Sequence, residues 1–350
     1  KIKKILVNLT IFILLIILTF SLVLKDQDVS QIFSVAAKVK KQYILFAVLA
    51  MSIYILGEAV NITRILKELG EKSKLISNIR YTLIGFFFSA ITPAASGGQP
   101  MEIYYMHKDD ISVANSTLAL LMQLCSLQIV TITVGTISAV IHFEVLKSGL
   151  IYLLILGIIL NSSALMLLII AIFSKKLSEG LIKFAVKLLK FFRIPNVEKK
   201  QEKLEKELES YQTSARYIKE HKILMLKTVI TTVVQMIAYY SVPYWIYLAF
   251  GLTEYNIFEI LTLQAVLYAT VSGIPSPGAV GVSEGGFLGI FKNVFPETII
   301  SSAMLLTRGA NFYLFIIISA IIVMISTFRE KRIEKKQMQE TEVLTEKSEK

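Results

Sequence analysis

Two stretches rich in proline and glycine interrupt apolar sequence, and each carries polar residues that membrane-spanning helices seldom contain. The first covers residues 91–100, and the second covers residues 273–286 and includes Glu284. A carboxylate at the centre of a bilayer costs at least about 2.5 kcal/mol, so Glu284 needs a partner or a water-filled site. Helices broken at membrane depth persist only where protein covers them or where they line a wet cavity. The two interruptions therefore predict a polar binding site within a membrane, as in many transporters.

Glu284 and Arg308 are the charged residues expected to act on a ligand near the second interruption. Ser283 is expected to cap a helix over residues 284–291, whose free N–H groups and positive dipole end would bind a lipid phosphate. Arg308 lies about nine residues into the last apolar segment, roughly 14 Å deep. It is expected to pair with Glu284, to bind the phosphate, or to alternate between them. Glu284 is expected to bind a cationic headgroup or a proton, with a purely structural ion pair as the alternative.

Gly97, Gly98 and Gln99 are the candidate residues of the first interruption. The two glycines permit positive φ and a close approach of the backbone to a ligand, and simple packing between helices is an equal alternative. Pro100 suits the first position of a helix, so Gly98 or Gln99 is expected to cap a second helix start. Gln99 offers both a donor and an acceptor to a headgroup.

Other polar residues fall inside apolar segments. Glu58 is a weaker site candidate, and the nearby Arg64 is expected to reach the membrane interface. Gly281, Gly285 and Gly289 recur every four residues, which is typical of helix packing. Four amides are expected to hydrogen-bond between helices rather than to bind a ligand: Gln123, Gln128, Gln235 and Asn311.

The composition indicates a membrane protein, since 54% of the 350 residues are hydrophobic and the net charge is +11. The positive charge is expected to lie in cytoplasmic loops against anionic lipid, so nucleic acid is not an expected partner. The lone Cys125 cannot form an internal disulfide. The sequence has no His/Cys cluster for zinc and no P-loop, and the G-x-S-x-G match at 281–285 lacks the strand and the His partner of a hydrolase. Neither a cofactor nor a metal is expected.

Six apolar segments are long enough to cross about 30 Å of hydrocarbon. Lys and Arg cluster at the N-terminus, after the second segment, at 174–222 and in the tail, which predicts that both termini are cytoplasmic. Lys38, Lys40 and Lys41 are an exception, because the same assignment puts their loop outside. The predicted spans are residues 5–24, 43–62, 113–141, 150–173, 224–250 and 299–328.

The cytoplasmic and external sides predicted for the loops are consistent with one another only if the two broken segments, 81–106 and 257–295, re-enter the membrane instead of crossing it. Each half then consists of two spans, a hairpin and a span, in opposite orientations, which predicts an inverted repeat. The predicted fold is an all-α polytopic membrane protein with six spans plus two re-entrant broken-helix hairpins. Its units are a first repeat at 1–148, a second repeat at 149–328 with a cytoplasmic insert at 174–222, and a charged cytoplasmic tail at 329–350.

The insert contains two helical patterns. Residues 177–193 carry apolar residues on one side and lysines on another, which predicts an interfacial helix on the anionic leaflet. Residues 198–222 alternate Glu and Lys around apolar positions at helical spacing. They are expected to form a solvated helix that packs on its neighbour, with a partner-binding role as the alternative.

The two interruptions resemble a pair of motifs in the flippase-like membrane domain of lysylphosphatidylglycerol synthases, over about residues 1–328. In that family the first hairpin has a Pro, a Gly-Gly pair and a polar or acidic residue, and the second has Pro-x-Pro-Gly, small residues and Glu-Gly. An Arg in the last span followed by a Tyr, here Arg308 and Tyr313, also fits. The matching residues of the two hairpins are Pro93, Gly97, Gly98, Gln99, Pro275, Pro277, Gly278, Gly281, Glu284, Gly285 and Gly286.

Residues 99–102 depart from the family pattern, because many relatives have a Glu and a nearby Arg at this place. The resemblance implies that Glu102 takes the acidic role. The sequence shows no aminoacyl-transferase domain after the last span, so the expectation is a standalone relative that has the translocating part alone. An aminoacylated lipid is therefore one possible substrate among several.

The residues and the resemblance together predict a lipid flippase-like transporter of the cell membrane rather than an enzyme. A phospholipid, anionic or aminoacylated, or a polyprenyl-linked lipid is the expected substrate; the anionic leaflet surface and a second copy of the chain are further partners to test. The alternatives are an integral-membrane enzyme acting on lipid headgroups and a noncatalytic lipid-binding scaffold for a synthase. The residues expected to bind substrate are Gly97, Gly98, Gln99, Glu102, Ser283, Glu284, Gly285, Arg308 and Tyr313.

Overall fold

A computed structural model describes residues 34–92, 95–142, 150–174, 197–274 and 276–329, together with Lys176 and Gly180. Within these ranges the chain forms helices and no strand, as predicted. The main helices are α1 (Lys41–Glu68), α2 (Leu75–Ala90), α3 (Gly98–Lys108), α4 (Val113–Ile141), α5 (Leu150–Phe173), α6 (Val197–Glu220), α7 (Lys222–Ala249), α8 (Ile257–Val271), α9 (Val282–Ile290) and α10 (Ile300–Arg308), which continues through a π-helical turn to Arg329.

Five helices are long and apolar enough to cross a membrane: α1, α4, α5, α7 and the extended α10. Four of them match predicted spans to within two residues at each end, the usual uncertainty of helix boundaries, and α1 matches a fifth but ends six residues later than predicted. The remaining predicted span, at residues 5–24, lies outside the described residues. The prediction of a multi-pass helical membrane protein is thus confirmed for the part of the chain that the structure describes.

Helices α1 and α7 run antiparallel along their whole length. The amide of Lys40, just before α1, donates to the carbonyl of Ala249 at the end of α7, at 3.0 Å. Near the opposite end, Asn61 Nδ2 donates to the Thr228 carbonyl at 3.2 Å. Gly57 lies between these contacts, where a Cβ would come within 2.9 Å of Gln235. The pair forms the centre of the molecule, with α2 packed on α1 and α8 packed on α7.

Helices α2 and α3, with residues 91–97 between them, form the first hairpin. The two ends of this hairpin are adjacent. Glu71, before α2, accepts a hydrogen bond from Asn115 Nδ2, after α3, at 2.7 Å. Arg80 and Tyr81 of α2 likewise contact the Asp109 carboxylate just past α3. With its 16 residues, α2 is about 24 Å long, shorter than a hydrocarbon core.

Helices α8 and α9, with residues 272–281 between them, form the second hairpin. Asn256 starts α8 through a capping box, in which its side chain accepts from the Glu259 amide and Glu259 accepts from the Asn256 amide. The Tyr255 hydroxyl donates to the carbonyl of Asn293 beyond α9, at 3.0 Å, so the two ends of this hairpin are also adjacent. Helix α8 has 15 residues and is likewise too short to cross a bilayer.

Polar residues link the long helices across the core. Asn61 Nδ2 donates to Gln123 Oε1 at 2.9 Å, and Gln123 Nε2 donates to Gln235 Oε1 at 3.3 Å. The prediction that Gln123 and Gln235 bond between helices is confirmed. The same prediction is wrong for Gln128, whose Oε1 is buried with no partner among the described residues. Arg64 donates to Asn61 Oδ1 at 2.9 Å, so it is tied to the same network.

Helix α6 packs on its neighbours through one apolar side, as predicted for residues 198–222. Tyr211, Ala215 and Ile218 are buried. The Tyr211 hydroxyl donates to the Ala171 carbonyl of α5 at 2.8 Å, and Ser214 donates to Asn115 Oδ1 of α4 at 2.8 Å. The predicted interfacial helix at 177–193, apart from Gly180, and the tail beyond Arg329 lie outside the described residues.

Candidate functional site

The tips of the two hairpins face the same cavity, which has a volume of about 280 Å³. The first hairpin contributes the end of α2 and Ala95, and the second contributes Ser283 and most of the break between α8 and α9. Tyr54 of α1, Tyr239 of α7 and residues around Arg308 close the other sides. The structure therefore brings the two Pro/Gly-rich interruptions together around one concave space.

The backbone of the second break adopts conformations that favour glycine. Gly278 has a φ of +60° and Gly281 a φ of +87°, in the left-handed region that side chains make costly. Gly278 also lies against the Phe312 ring, and a Cβ at this position would overlap the ring atoms. Ala279 is held at a φ of +52°, which costs about 1–2 kcal/mol for a residue other than glycine. This strained turn directs the Gly278 carbonyl toward Arg308.

Arg308 is fixed at the cavity wall by three interactions. Its Nε donates to Glu284 Oε1 at 2.7 Å, and its Nη2 donates to the Gly278 carbonyl at 3.1 Å. Its Cζ lies 4.0 Å from the centroid of the Phe312 ring, a cation–π contact. An anion in the cavity would therefore meet a guanidinium whose position is already set.

A π-helical turn over Gly309–Tyr313 follows Arg308 directly. Such turns are rare and frequently occur at functional sites. Its wide spacing brings Tyr313 back to the guanidinium, with the ring centroid 5.6 Å from Cζ, while Phe312 stays against the other side. The turn also places Asn311 on the cavity wall. The sequence analysis did not predict this turn, since its residues are compatible with an ordinary α-helix.

Glu284 lies behind Arg308 and does not line the cavity. Its side chain is 0% exposed, and its Oε1 also accepts from the Tyr313 hydroxyl at 3.1 Å. Its Oε2 accepts from the Gly281 amide at 2.7 Å, which caps the start of α9. Of the alternatives for Arg308, the structure has the ion pair with Glu284. Contact of Glu284 or Tyr313 with a substrate stays a prediction.

The predicted helix start in the second break is wrong by two residues. Helix α9 begins at Val282 with Gly281 as its N-cap, not at Glu284 with Ser283 as the cap. The reason is that Glu284 reaches back to the Gly281 amide, which Ser283 does not. Ser283 nevertheless lines the cavity. Gly285 is exposed and has open space around it, and the close approach between α8 and α9 occurs at Gly286 instead.

Two polar atoms of the cavity wall are buried without a hydrogen-bond partner among the described residues: Asn311 Oδ1 and Ser276 Oγ. Asn311 as a whole is 3% exposed. A buried polar atom without a partner costs about 1–3 kcal/mol, so a ligand or water is expected to bond with both. The sequence analysis missed Ser276 and assigned Asn311 to bonding between helices. The burial of Asn311 depends on the π-helical turn, which no local pattern predicts.

Tyrosines from three helices form another part of the cavity wall. The ring centroids of Tyr54 and Tyr239 are 5.2 Å apart, and those of Tyr239 and Tyr268 are 5.4 Å apart. All three line the cavity. Tyrosine gives an apolar surface with a hydroxyl at its edge, which suits a polar group that moves beside hydrocarbon. The sequence analysis missed these tyrosines, because single aromatic residues in apolar helices are too common to signal a site.

The predicted residues of the first interruption lie in the seam of the first hairpin rather than on the cavity wall. Helix α3 begins at Gly98, with Gly97 as N-cap, so Pro100 is the third helical residue and not the first. A Cβ at Gly98 would crowd the Gly85 carbonyl at 2.9 Å, and the Gly97 amide donates to Thr92 Oγ1 at 2.9 Å. Close packing explains both glycines. Gln99 is half-buried beside them, and Pro93 lies outside the described residues.

Glu102 is also placed within the first hairpin. It is 3% exposed, and its carboxylate occupies the space that the missing side chain of Gly85 leaves on α2. Its Oε2 has no hydrogen-bond partner among the described residues. Like Gln99, it is not part of the cavity wall. Substrate binding by Gln99 and Glu102 stays a prediction.

The cavity wall is rich in groups that bind a polar ligand. The wall combines a fixed cation, an amide, hydroxyls and aromatic rings, and none of the three histidines lines it. His107, His142 and His221 lie at helix ends. The described residues contain no cluster of three or more His, Cys, Asp or Glu that could hold a metal ion.

Comparison with known families agrees with the motifs. A search of curated proteins found no match for the sequence. The family model described as the lysylphosphatidylglycerol synthase TM region matches residues 5–319, most of the 350-residue chain and both hairpins. The family resemblance seen in the sequence is confirmed: the chain belongs to the family of the lysylphosphatidylglycerol synthase TM region.

Proposed function

We propose that this protein moves the headgroup of a membrane lipid across the bilayer through the cavity between its two hairpins. The observation that carries the proposal is the cavity itself, whose wall holds the fixed guanidinium of Arg308 and two buried polar atoms without partners in the described structure, Ser276 Oγ and Asn311 Oδ1. Its volume of about 280 Å³ is near the lower end of typical ligand pockets, about 300–1,000 Å³. That size suits a headgroup whose acyl or polyprenyl tails remain in the bilayer.

The lipid phosphate is the group that Arg308 would bind. Phospholipids and polyprenyl-linked lipids share a phosphate, and a guanidinium is well suited to bonding its oxygens. Glu284 balances the charge of Arg308 when the cavity is empty, and it fixes the orientation of the side chain through Nε. Ser276 and Asn311 would bond the polar groups beyond the phosphate. The wall would thus replace the water that the headgroup gives up.

The membrane arrangement that this function requires is the one predicted from the charges. Each hairpin would re-enter from one face, because α2 and α8 are short and each hairpin ends beside its own start. The antiparallel pair of α1 and α7 supports an inverted repeat with two opposed halves. Rocking of the halves would open the cavity to each side in turn, in the cell membrane with cytoplasmic termini.

The experiment measures lipid movement by purified protein in liposomes. The Asn311→Leu variant keeps the size of the side chain but removes its polar atoms, and it is expected to slow headgroup movement severalfold with little change in folding. Gln128→Leu is the matched control, because Gln128 Oε1 is also buried and unpartnered but lies outside the cavity wall. Equal rates for Asn311→Leu and wild type would remove the cavity from the pathway.

Separate arms with a labelled phospholipid and a labelled polyprenyl phosphate distinguish the two lipid classes. Arg308→Lys keeps the charge but removes the planar group, and it is expected to slow whichever lipid is the substrate. Chemical change of the headgroup during the assay would favour an enzyme. Tight lipid binding without movement would favour a scaffold. Either result would contradict the proposed function.

A further inference from the structure

Glu102 is a buried acid without the cation that buried acids usually have. It projects from α3 within the first hairpin, 3% exposed, against the space that Gly85 leaves on α2. Its Oε2 has no hydrogen-bond partner in the described part of the chain. No described Lys, Arg or His forms an ion pair with it. Glu284 differs from Glu102, because each of its carboxylate oxygens accepts a hydrogen bond.

Glu58 of α1 is a second acid in the same region. It is half-buried and lies near enough to Glu102 for their charges to interact. Tyr54 lies one helical turn before Glu58 and lines the cavity, as does Tyr268 of α8. Among the described residues, no cation forms an ion pair with either acid.

A carboxylate that is buried without a cation or a hydrogen-bond donor is costly to ionise, and a second acid nearby adds to that cost. We propose that Glu102 is a proton-binding site of this protein. Binding forms one O–H bond on Glu102 and converts its carboxylate to the neutral acid, which removes one negative charge from the seam of the first hairpin. The bound proton also turns the unpartnered Oε2 from a hydrogen-bond acceptor into a hydrogen-bond donor.

The site is placed to link protonation with the state of the cavity, an effect that rests on the proposed function. Glu102 packs against Gly85 of α2, and the next residue, Phe86, lines the cavity, so the charge of Glu102 acts on the first hairpin beside the cavity wall. Tyr54 lies on the same helix as Glu58 and forms part of the cavity wall. A proton gradient would therefore bias the direction of headgroup movement.

A proton fits Glu102 better than a metal ion does. The described residues hold no group of three or more His, Cys, Asp or Glu in reach of one another, and hard cations usually take six or more oxygen ligands. Sodium ion is kept as an outcome of the test. A requirement for sodium at constant pH, with no response to protons, would contradict the proposal.

The direct test is infrared spectroscopy of the purified protein during a pH titration. The wild type is expected to show the C=O stretch of a protonated carboxyl group that persists to a higher pH than surface carboxyls allow. Glu102→Gln and Glu58→Gln are each expected to remove or shift this band. Glu297→Gln, at an exposed carboxylate between α9 and α10, is the control and is expected to leave it unchanged. A band that is identical in all four proteins would overturn the proposal.

The second readout is lipid movement in liposomes with and without a pH gradient. The gradient is expected to accelerate movement in the wild type and in Glu297→Gln, and the ratio of the two rates is expected to fall to unity in Glu102→Gln. An unchanged ratio in Glu102→Gln would contradict the coupling. If the wild type moves no lipid but keeps a titrating band that Glu102→Gln removes, the proton site stands and the proposed function fails.

Discussion

The two hairpins each contain a buried glutamate, and their surroundings differ completely. Glu284 in the second hairpin bonds to Arg308, Tyr313 and the Gly281 amide. Glu102 in the first hairpin has a carboxylate oxygen with no partner in the described structure. One acid thus fixes a wall of the cavity, whereas the other is the proton site proposed above. The comparison teaches that a buried acid is held by its partners in one hairpin and has an oxygen without a partner in the other.

The largest expected effect comes from removing Arg308, the ion-pair partner of Glu284. Arg308→Leu leaves Glu284 charged and fully buried, which is expected to cost about 3–5 kcal/mol of stability. Thermal unfolding in detergent micelles measures the loss. The double variant Glu284→Leu with Arg308→Leu is expected to recover part of it, because no unpaired charge remains. Wild-type stability for Arg308→Leu alone would show that the ion pair does not hold the second hairpin.

A glycine in each hairpin allows the two hairpins to be compared for tolerance of an added side chain. Gly278 of the second hairpin and Gly85 of the first each lie against a bulky side chain. Gly278→Ala forces a Cβ into the Phe312 ring at a positive φ, and the expected cost is about 3 kcal/mol. Gly85→Ala meets only the flexible Glu102 side chain, and the expected cost is about 1–2 kcal/mol. Unfolding temperatures of the two variants measured side by side give the ranking. The reverse order would mean that the second break is the more adaptable one.

Removing the charge of the unpaired acid is expected to help folding. Glu102→Gln is expected to stabilise the protein by about 1–2 kcal/mol at alkaline pH, where the wild type must bury a charge. The gain is expected to vanish at acidic pH, because the wild-type carboxyl is then protonated as well. The equivalent change in the second hairpin, Glu284→Gln, is expected to destabilise at both pH values. Denaturation at several pH values tests both signs.

The smallest expected effect concerns the first residues of the two hairpins. Asn256 caps α8 with its side chain, whereas Lys74, at the same position before α2, makes no side-chain cap. Asn256→Ala is expected to cost about 1 kcal/mol, and Lys74→Ala is expected to have no measurable effect. Hydrogen exchange of the first turn of each helix reports the difference. Equal exchange in the two variants would remove the capping box as a cause of order in α8.

Much of the fold can be predicted from the sequence because long apolar segments leave little choice of structure. Helices α4 and α5 have the predicted bounds, α7 and α10 differ by one or two residues at each end, and α1 ends six residues later than predicted. The meeting of the two interruptions is also within reach, since broken helices at membrane depth need a common polar space. The assignment of membrane sides and the inverted repeat stay predictions, because they rest on charges and on order along the chain.

The details of the site escaped prediction for physical reasons. Either Ser283 or Gly281 can cap a helix by local preference, and the long-range fit of Glu284 behind Arg308 selects Gly281. The π-helical turn that turns Asn311 toward the cavity has no sequence signature of its own. Glu102 faces the seam instead of the cavity because Gly85 leaves room there. Each of these outcomes depends on packing between segments far apart in the chain.

The most direct test of the central claim is the rate of lipid movement after the two hairpin tips are joined. Ser89 and Ser276 line the cavity from opposite hairpins, and both can be replaced by Cys in a Cys125→Ser background. A short reducible cross-linker between them is expected to form readily, to stop headgroup movement, and to release it on reduction. Cross-linked protein that moves lipid at the unmodified rate would contradict the account.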